Sequence, residues 1–382
     1  MVTENSNSSV ADSAEARRYN RVKRWLGFAD LAMGFGLLLV LLATGWSARL
    51  RDLALFGARQ NHSLAVMFYV LFLLIIGKVI GFGVEYYGFR LEHIYHLSDQ
   101  RLRAWLWDEA KSFLLSFVLG TIVVELIYWT IRWAPQDWWL IAWAIFIALF
   151  VLMAQVAPVV LFPIFYKFSP LENEDLKNRL VKLGERAGTR VRGVYEWKLS
   201  EKTKKANAAL TGLGATRRII LADTLLENYS ADEIEAVLAH ELGHHVHKHI
   251  LKSILVQAAV TFAGFWLASE VLLYAVDRAR WFDTLSDFAN LPLLVLVSTM
   301  LSVLLMPILN AYSRFNERQA DRYCFKSIRS VDPFISAMNK LADQNLAERT
   351  PSKWVEKLFH SHPSISNRVL AALAWGASRA GR

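Results

Sequence analysis

Apolar residues run through the chain in six long blocks, roughly 28–47, 64–86, 112–132, 138–163, 251–276 and 289–310. Each is long enough to cross about 30 Å of hydrocarbon as a helix. Pro158 and Pro163 end the fourth block and should kink or stop it; Pro292 and Pro307 lie in the sixth. Between the fourth and fifth blocks the pattern changes. Glu172 to Ala187 alternates as an amphipathic helix ending at Gly188, Val191–Trp197 and Arg218–Ala222 read as short strands, and Ser230 opens a helix with a capping box to Glu233. The expected fold is mainly α: a polytopic membrane helix bundle of about six spans carrying a small α+β domain.

The segments this predicts are a tail over 1–27 with its Ser/Asn/Ala-rich first 16 residues disordered, spans over 28–165, a polar domain over 166–250, spans over 251–310, and a helical C-terminal part over 311–382. Trp129, Trp133, Trp138 and Trp139 flank a tight turn, as interfacial aromatics do. Arg17, Arg18, Arg21, Lys23 and Arg24 precede the apolar run Leu31–Trp46. That run is long and lacks a small-x-small cleavage site, which favours a retained anchor over a signal peptide.

Composition supports a chain in lipid: 54% of residues are hydrophobic, 14 are Trp, and only 20% are charged. The net charge of +9 is spread between apolar blocks and in the tails, so it argues for membrane orientation and against nucleic acid. The basic residues gather in the N-tail, the 87–111 loop, the 166–250 segment and the C-tail, which places those parts and both termini in the cytoplasm. Cys324 is the sole cysteine, so neither an intramolecular disulfide nor a Cys-rich metal site can form. Lys78, Glu85 and Glu125 fall in or near spans and should face a protein interior or a wet cavity.

The sharpest chemical signal is His240-Glu241-Leu242-Gly243-His244. Positions i and i+4 share a helical face about 6 Å apart, so both imidazoles can reach one cation. Glu241 can take a proton from a water that the metal acidifies. A third ligand is needed; Glu317 is the candidate, with Asp321 one turn further to orient a ligand histidine. On spacing alone, Glu317 and Asp321 read equally as a surface pair with Arg314 and Arg318. His245, His247 and His249 continue the helix; His247, three residues past His244, is within reach to compete for the metal, but all three read better as solvated or interfacial. His362 and Arg368 can donate to a developing oxyanion or simply decorate an exposed turn. Asn207 and Ala208 begin a short strand that can pair with a substrate peptide if it lies at an edge. Lys202, Lys204 and Lys205 read as a solvated or lipid-facing run.

These segments together resemble the M48 metallopeptidases, specifically the Ste24-like group that includes the type 1 CAAX prenyl proteases. The likeness runs from about Glu85 to Arg368. It rests on Leu91-Glu92-His93, Trp105-Leu106-Trp107-Asp108, Ala157-Pro158, Phe162-Pro163-Ile164-Phe165, Phe168-Ser169-Pro170-Leu171, Asn207-Ala208, Thr211-Gly212, Ile220 to Leu226, the HELGH core, the Ser313 to Asp321 segment and Ser361-His362-Pro363. The resemblance implies one Zn2+ per chain on His240, His244 and Glu317, with Glu241 catalytic. It implies that Asn207 and Ala208 bind the substrate backbone, and that His362 and Arg368 line the site. It also implies a zincin-like domain closing a chamber within the ring of spans. Substrates would be peptides or protein termini, prenylated C-terminal CAAX peptides among them.

Two departures stand out. The eukaryotic enzymes have seven spans, and the one absent here falls between residues 47 and 64. His245 follows HELGH where they tend to carry Trp, which suggests a bacterial-type relative in an inner membrane. Rival readings are an HtpX-like quality-control protease, disfavoured by two extra spans, and a transporter or catalytically idle scaffold, disfavoured by an intact Glu241.

Overall fold

The computed structural model describes residues 12–189, 191–212 and 217–380. Among these, six helices are long and apolar enough to cross a membrane. They are α1 (Ala14–Ala43), α3 (His62–Ile94), α4 (Leu102–Trp133), α5 with its extension (Trp138–Phe165), α10 with its extension (His249–Arg278), and α11 with its 3-10 lead-in (Phe288–Ser327). A short α2 (Trp46–Gly57) of 12 residues fills the connection between residues 47 and 64, where a seventh span was expected to be absent. It is about 18 Å long, too short to cross.

α5 itself covers Trp138–Val156; a π-turn over Ala157–Leu161 and a four-residue α6 (Phe162–Phe165) follow. Pro158 and Pro163 sit in these two irregular turns, where a missing N–H does least harm. α10 covers His249–Leu273 before its own π-turn, and α11 proper covers Leu291–Ser327. Pro292 falls in the first turn of α11, whereas the helix runs through Pro307 unbroken.

The polar domain begins at β1 (Phe168–Pro170), followed by α7 (Glu174–Arg186), β2 (Gly193–Trp197), β3 (Ala208–Thr211), β4 (Arg218–Ala222), α8 (Asp223–Asn228) and α9 (Ala231–Val246). α12 (Asp332–Gln344), α13 (Lys353–Phe359) and α14 (Ile365–Ala380) complete it after α11. The sheet order is β1-β2-β4-β3, so β3 is an edge. β2 and β4 run parallel, and β1 and β3 are antiparallel to their neighbours. Leu180, Leu183, Ile219, Leu221, Leu225, Ile234, Phe325 and Phe334 form its core. α9 is buried on almost every side, as a central helix must be. Its Ser230–Glu233 capping box is intact, and Glu233 also accepts from Ser336 at 2.5 Å and Lys340 at 2.7 Å on α12.

Several expectations need correction. α1 starts at Ala14, well inside the tail expected to be free, and Asp12 before it is buried and accepts from Thr350 N and Oγ1. Residues 1–11 lie outside the described part. Trp138 is not interfacial: it is 1% exposed in the core between the spans, whereas Trp129 and Trp133 stack on the outside. Of the run expected to be solvated, Lys204 is exposed, whereas Lys202 and Lys205 are half-buried. Taken in chain order, each pairs with an acidic partner in or between α3 and α4, namely Asp108 (2.7 Å), Asp99 (2.7 Å) and Glu92 (2.8 Å). The segment leading into β3 is thereby tied to the membrane helices. Lys78 bonds Glu85 at 2.5 Å and Glu109 at 2.6 Å, and Glu125 pairs with Arg132. Charges in spans meet opposite charges, as their desolvation demands.

Candidate metal centre

α9 and α11 cross at a very short distance. A Cβ built on Gly243 would lie 2.7 Å from Ala320 Cα and 2.9 Å from its carbonyl oxygen. Only glycine lets the HELGH helix sit this low on α11, and that closeness brings the two ligand sets together. His240 Nε2 lies 3.3 Å from His244 Nε2 and 3.2 Å from Glu317 Oε2, and His244 Nε2 is 3.3 Å from Glu317 Oε1. Nitrogen and oxygen ligands about 2.0–2.2 Å from one tetrahedral ion stand about 3.3–3.6 Å apart. Moreover, Glu317 Oε2 is buried without a well-aligned hydrogen bond. The donor set therefore fits a divalent ion such as zinc.

The electrostatics agree. Burial and the Arg368 charge lower the His240 pKa, but hydrogen bonds to Asp321 and Glu317 outweigh both and push it up to about 9. The protein alone thus stabilises positive charge at this point. His240 Nδ1 lies 2.8 Å from Asp321 Oδ1, so Asp321 stands where it can hold the ring with Nε2 turned inward.

Arg368 occupies a different place from that of an oxyanion donor. It lies largely covered behind His240 and gives Nε and Nη2 to Asp321 at 2.9 and 2.6 Å. The surface pairing weighed for Glu317 and Asp321 does not occur either: Arg314 is buried and donates to the carbonyls of Glu356 and His360. His362 is mostly exposed and reaches over the site, with Nδ1 2.9 Å from Glu317 Oε2.

A cavity of about 500 Å³ opens onto this group, lined by Glu241, His244 and Glu317, by Leu210 and Gly212 at the end of β3, and by Phe150 and Ala154 of α5. Asn207 and Ala208 lie at the other end of the edge strand, away from this lining. A second cavity of about 490 Å³ extends between α4, α5, α10 and α11, and Gln257 borders both. The residue that the sequence reading missed is His249. α9 ends at Val246, Lys248 turns left-handed at φ +57°, and His249 starts α10 buried at 3% exposure, 3.0 Å from His244. Its only sequence signal was its place in a histidine-rich run.

A bundle of six apolar helices, a four-stranded sheet with a free edge, and two histidines and a glutamate converging beside a second glutamate define a membrane-embedded metallopeptidase. The comparisons give the family. Residues 170–376 match "Peptidase family M48", and residues 6–167 match "CAAX prenyl protease N-terminal, five membrane helices". The chain belongs to peptidase family M48 and is a Ste24-like zinc metalloendopeptidase. It is 31% identical over 362 residues to the uncharacterized metalloprotease YhfN of Bacillus subtilis, covering 94% of this chain and 85% of that one. It is 28% identical over 321 residues to CAAX prenyl protease 1 of Saccharomyces cerevisiae, covering 78% and 69%. The fold also matches the crystal structure of S. mikatae Ste24p with a TM-score of 0.84 at 24% identity, over 94% of this chain and 88% of that one.

Proposed function

We propose that this chain hydrolyses peptide bonds at a single zinc held by His240, His244 and Glu317. The observation that carries the assignment is the mutual 3.2–3.3 Å spacing of those three side chains at the mouth of a cavity lined by Glu241. When bound, the metal supplies a Lewis acid that acidifies water and polarises a carbonyl. Glu241, whose carboxylate has no hydrogen-bond or ion-pair partner among the described residues, takes the proton of the attacking water and delivers it to the leaving amine. His362 donates to the oxyanion from the exposed side. Arg368 acts from behind, holding Asp321 against His240. The substrate lies extended along β3, from Asn207 and Ala208 toward the cavity at Leu210 and Gly212, adding a strand to the sheet.

The basic loops orient the polar domain and both termini toward the cytoplasm of a bacterial inner membrane. Substrates are peptides or protein termini, including prenylated C-terminal CAAX peptides, which suit a site that opens into a membrane bundle. Glu241→Gln should retain one zinc per chain and lose at least a thousandfold in cleavage; equal cleavage by both proteins would refute the mechanism. A prenylated CAAX peptide and its unprenylated twin, each with and without a chelator, test the substrate class. Comparable rates on both twins would favour general proteolysis.

A further inference from the structure

The two histidines of the site are supported differently. Behind His240 stands a carboxylate, Asp321. Behind His244 stands another neutral-capable ring: His249 Nδ1 lies 3.0 Å from His244 Nδ1, and His249 Nε2 lies 2.9 Å from Gln319 Oε1. The His249 contact is made to the nitrogen that faces away from Glu317 and His240, so His249 is no fourth ligand. We propose that His249 and Gln319 form a proton-ordering relay that locks His244 in the tautomer able to bind metal.

The argument follows donors and acceptors. With the Gln319 amide turned as it stands, Oε1 toward the ring, that oxygen can only accept, and His249 then carries its proton on Nε2. A neutral His249 then presents a bare Nδ1, which accepts from His244 Nδ1–H. That leaves His244 Nε2 as a lone pair aimed at the site. A donor in place of Gln319 Oε1 would reverse every bond: His249 would donate from Nδ1, and His244 would carry its proton on Nε2, where the ion must bind. The fold supplies the geometry. Lys248 at φ +57° breaks α9 from α10, returning His249 beside His244, and Gln319 comes from α11, two residues after Glu317. One ligand histidine is thus held by an anion and the other by a neutral chain.

This inference rests on His244 being a ligand, so the experiment includes His244→Ala. Purified protein in detergent is titrated with zinc against a competing chelator, and the visible absorption of the cobalt-substituted form is recorded. His249→Phe, which keeps a ring but no acceptor, should weaken zinc binding about 10- to 100-fold and perturb the cobalt bands. His249→Asn places an oxygen near the lost Nδ1 and should stay within about threefold of the parent. Gln319→Glu can only accept and should bind zinc at least as tightly, whereas Gln319→Lys can only donate and should lose as much as His249→Phe. The Gln319 pair carries the test if His249→Phe misfolds. Zinc affinity unchanged in His249→Phe, equal losses in His249→Asn and His249→Phe, or equal affinity in Gln319→Glu and Gln319→Lys would overturn the relay. Loss of zinc in His244→Ala with none in His249→Phe sinks the relay alone; retention of zinc in His244→Ala sinks the site assignment beneath it.

Discussion

One helix, α11, works in two solvents, and its two halves solve the problem of polar groups in opposite ways. In the lipid half, Ser298, Thr299 and Ser302 turn their hydroxyls back to the carbonyls one turn earlier, each at 2.8 Å. Those bonds are local, made within the helix although all three side chains border the cavity between α4, α5, α10 and α11. Leu304 and Ile308 beyond them are 72% and 64% exposed. In the peptidase half, Arg314, Asn316, Glu317 and Asp321 are buried, and Arg314, Glu317 and Asp321 reach α9, the turn after α13, and α14. A helix of 37 residues is about 55 Å long, well beyond the roughly 30 Å of hydrocarbon, so one continuous rod joins the apolar half to Glu317. The difference teaches that the membrane half is specified by length and apolarity, while the peptidase half is specified by long-range polar partners.

The contrast can be broken most severely where a buried charge loses its partner. Arg368→Met removes the guanidinium paired with Asp321 and leaves it only His240, so it should cost about 3 kcal/mol, read as a drop in thermal unfolding temperature in detergent together with weakened zinc binding. Gly243→Ala comes next. Its methyl must displace the Ala320 backbone, so about 1–3 kcal/mol is lost, and the ligand sets on α9 and α11 move apart. Metal content measured after dialysis should fall even where the protein remains folded.

A smaller effect sharpens the comparison through pH. Burial alone would raise the Glu233 pKa, but Lys340, Ser336 and the Ser230 N–H outweigh it and lower the value below its ordinary 4.5. A depressed carboxylate contributes stability above its unfolded pKa and loses it as pH falls through the folded one. The parent should therefore lose stability steeply below about pH 4.5, and Glu233→Gln, weaker by about 1–2 kcal/mol at neutral pH, should show a flatter profile in the same scan. At the far end, Ser302→Ala in the lipid half should change unfolding by less than about 0.5 kcal/mol. A penalty there as large as that of Gly243→Ala would dissolve the distinction between the halves.

Much of this architecture was legible in the chain. Long apolar blocks imply spans, and the helices found run past their blocks at one end or both because polar residues such as Arg17 in α1 and Glu317 in α11 continue the same helix, although α1 stops at Ala43, short of residue 47. The capping box marked the start of α9, and the i, i+4 spacing put His240 and His244 on one face. Such features are set by contacts within four residues, which is the range over which sequence periodicity speaks. The rest was decided by residues far apart in the chain. Arg368 meets Asp321 across 47 positions, Lys202 meets Asp108 across 94, and Trp138 is buried only because other spans close around it. Even His249, five residues from His244, needed a left-handed Lys248 and a Gln319 from another helix to become part of the centre. The sequence alone determined what can form a helix and which groups can hold a metal. Only the packing of α9 on α11 decided which partners those groups face, because a charge or imidazole takes its role from whatever shares its desolvated space.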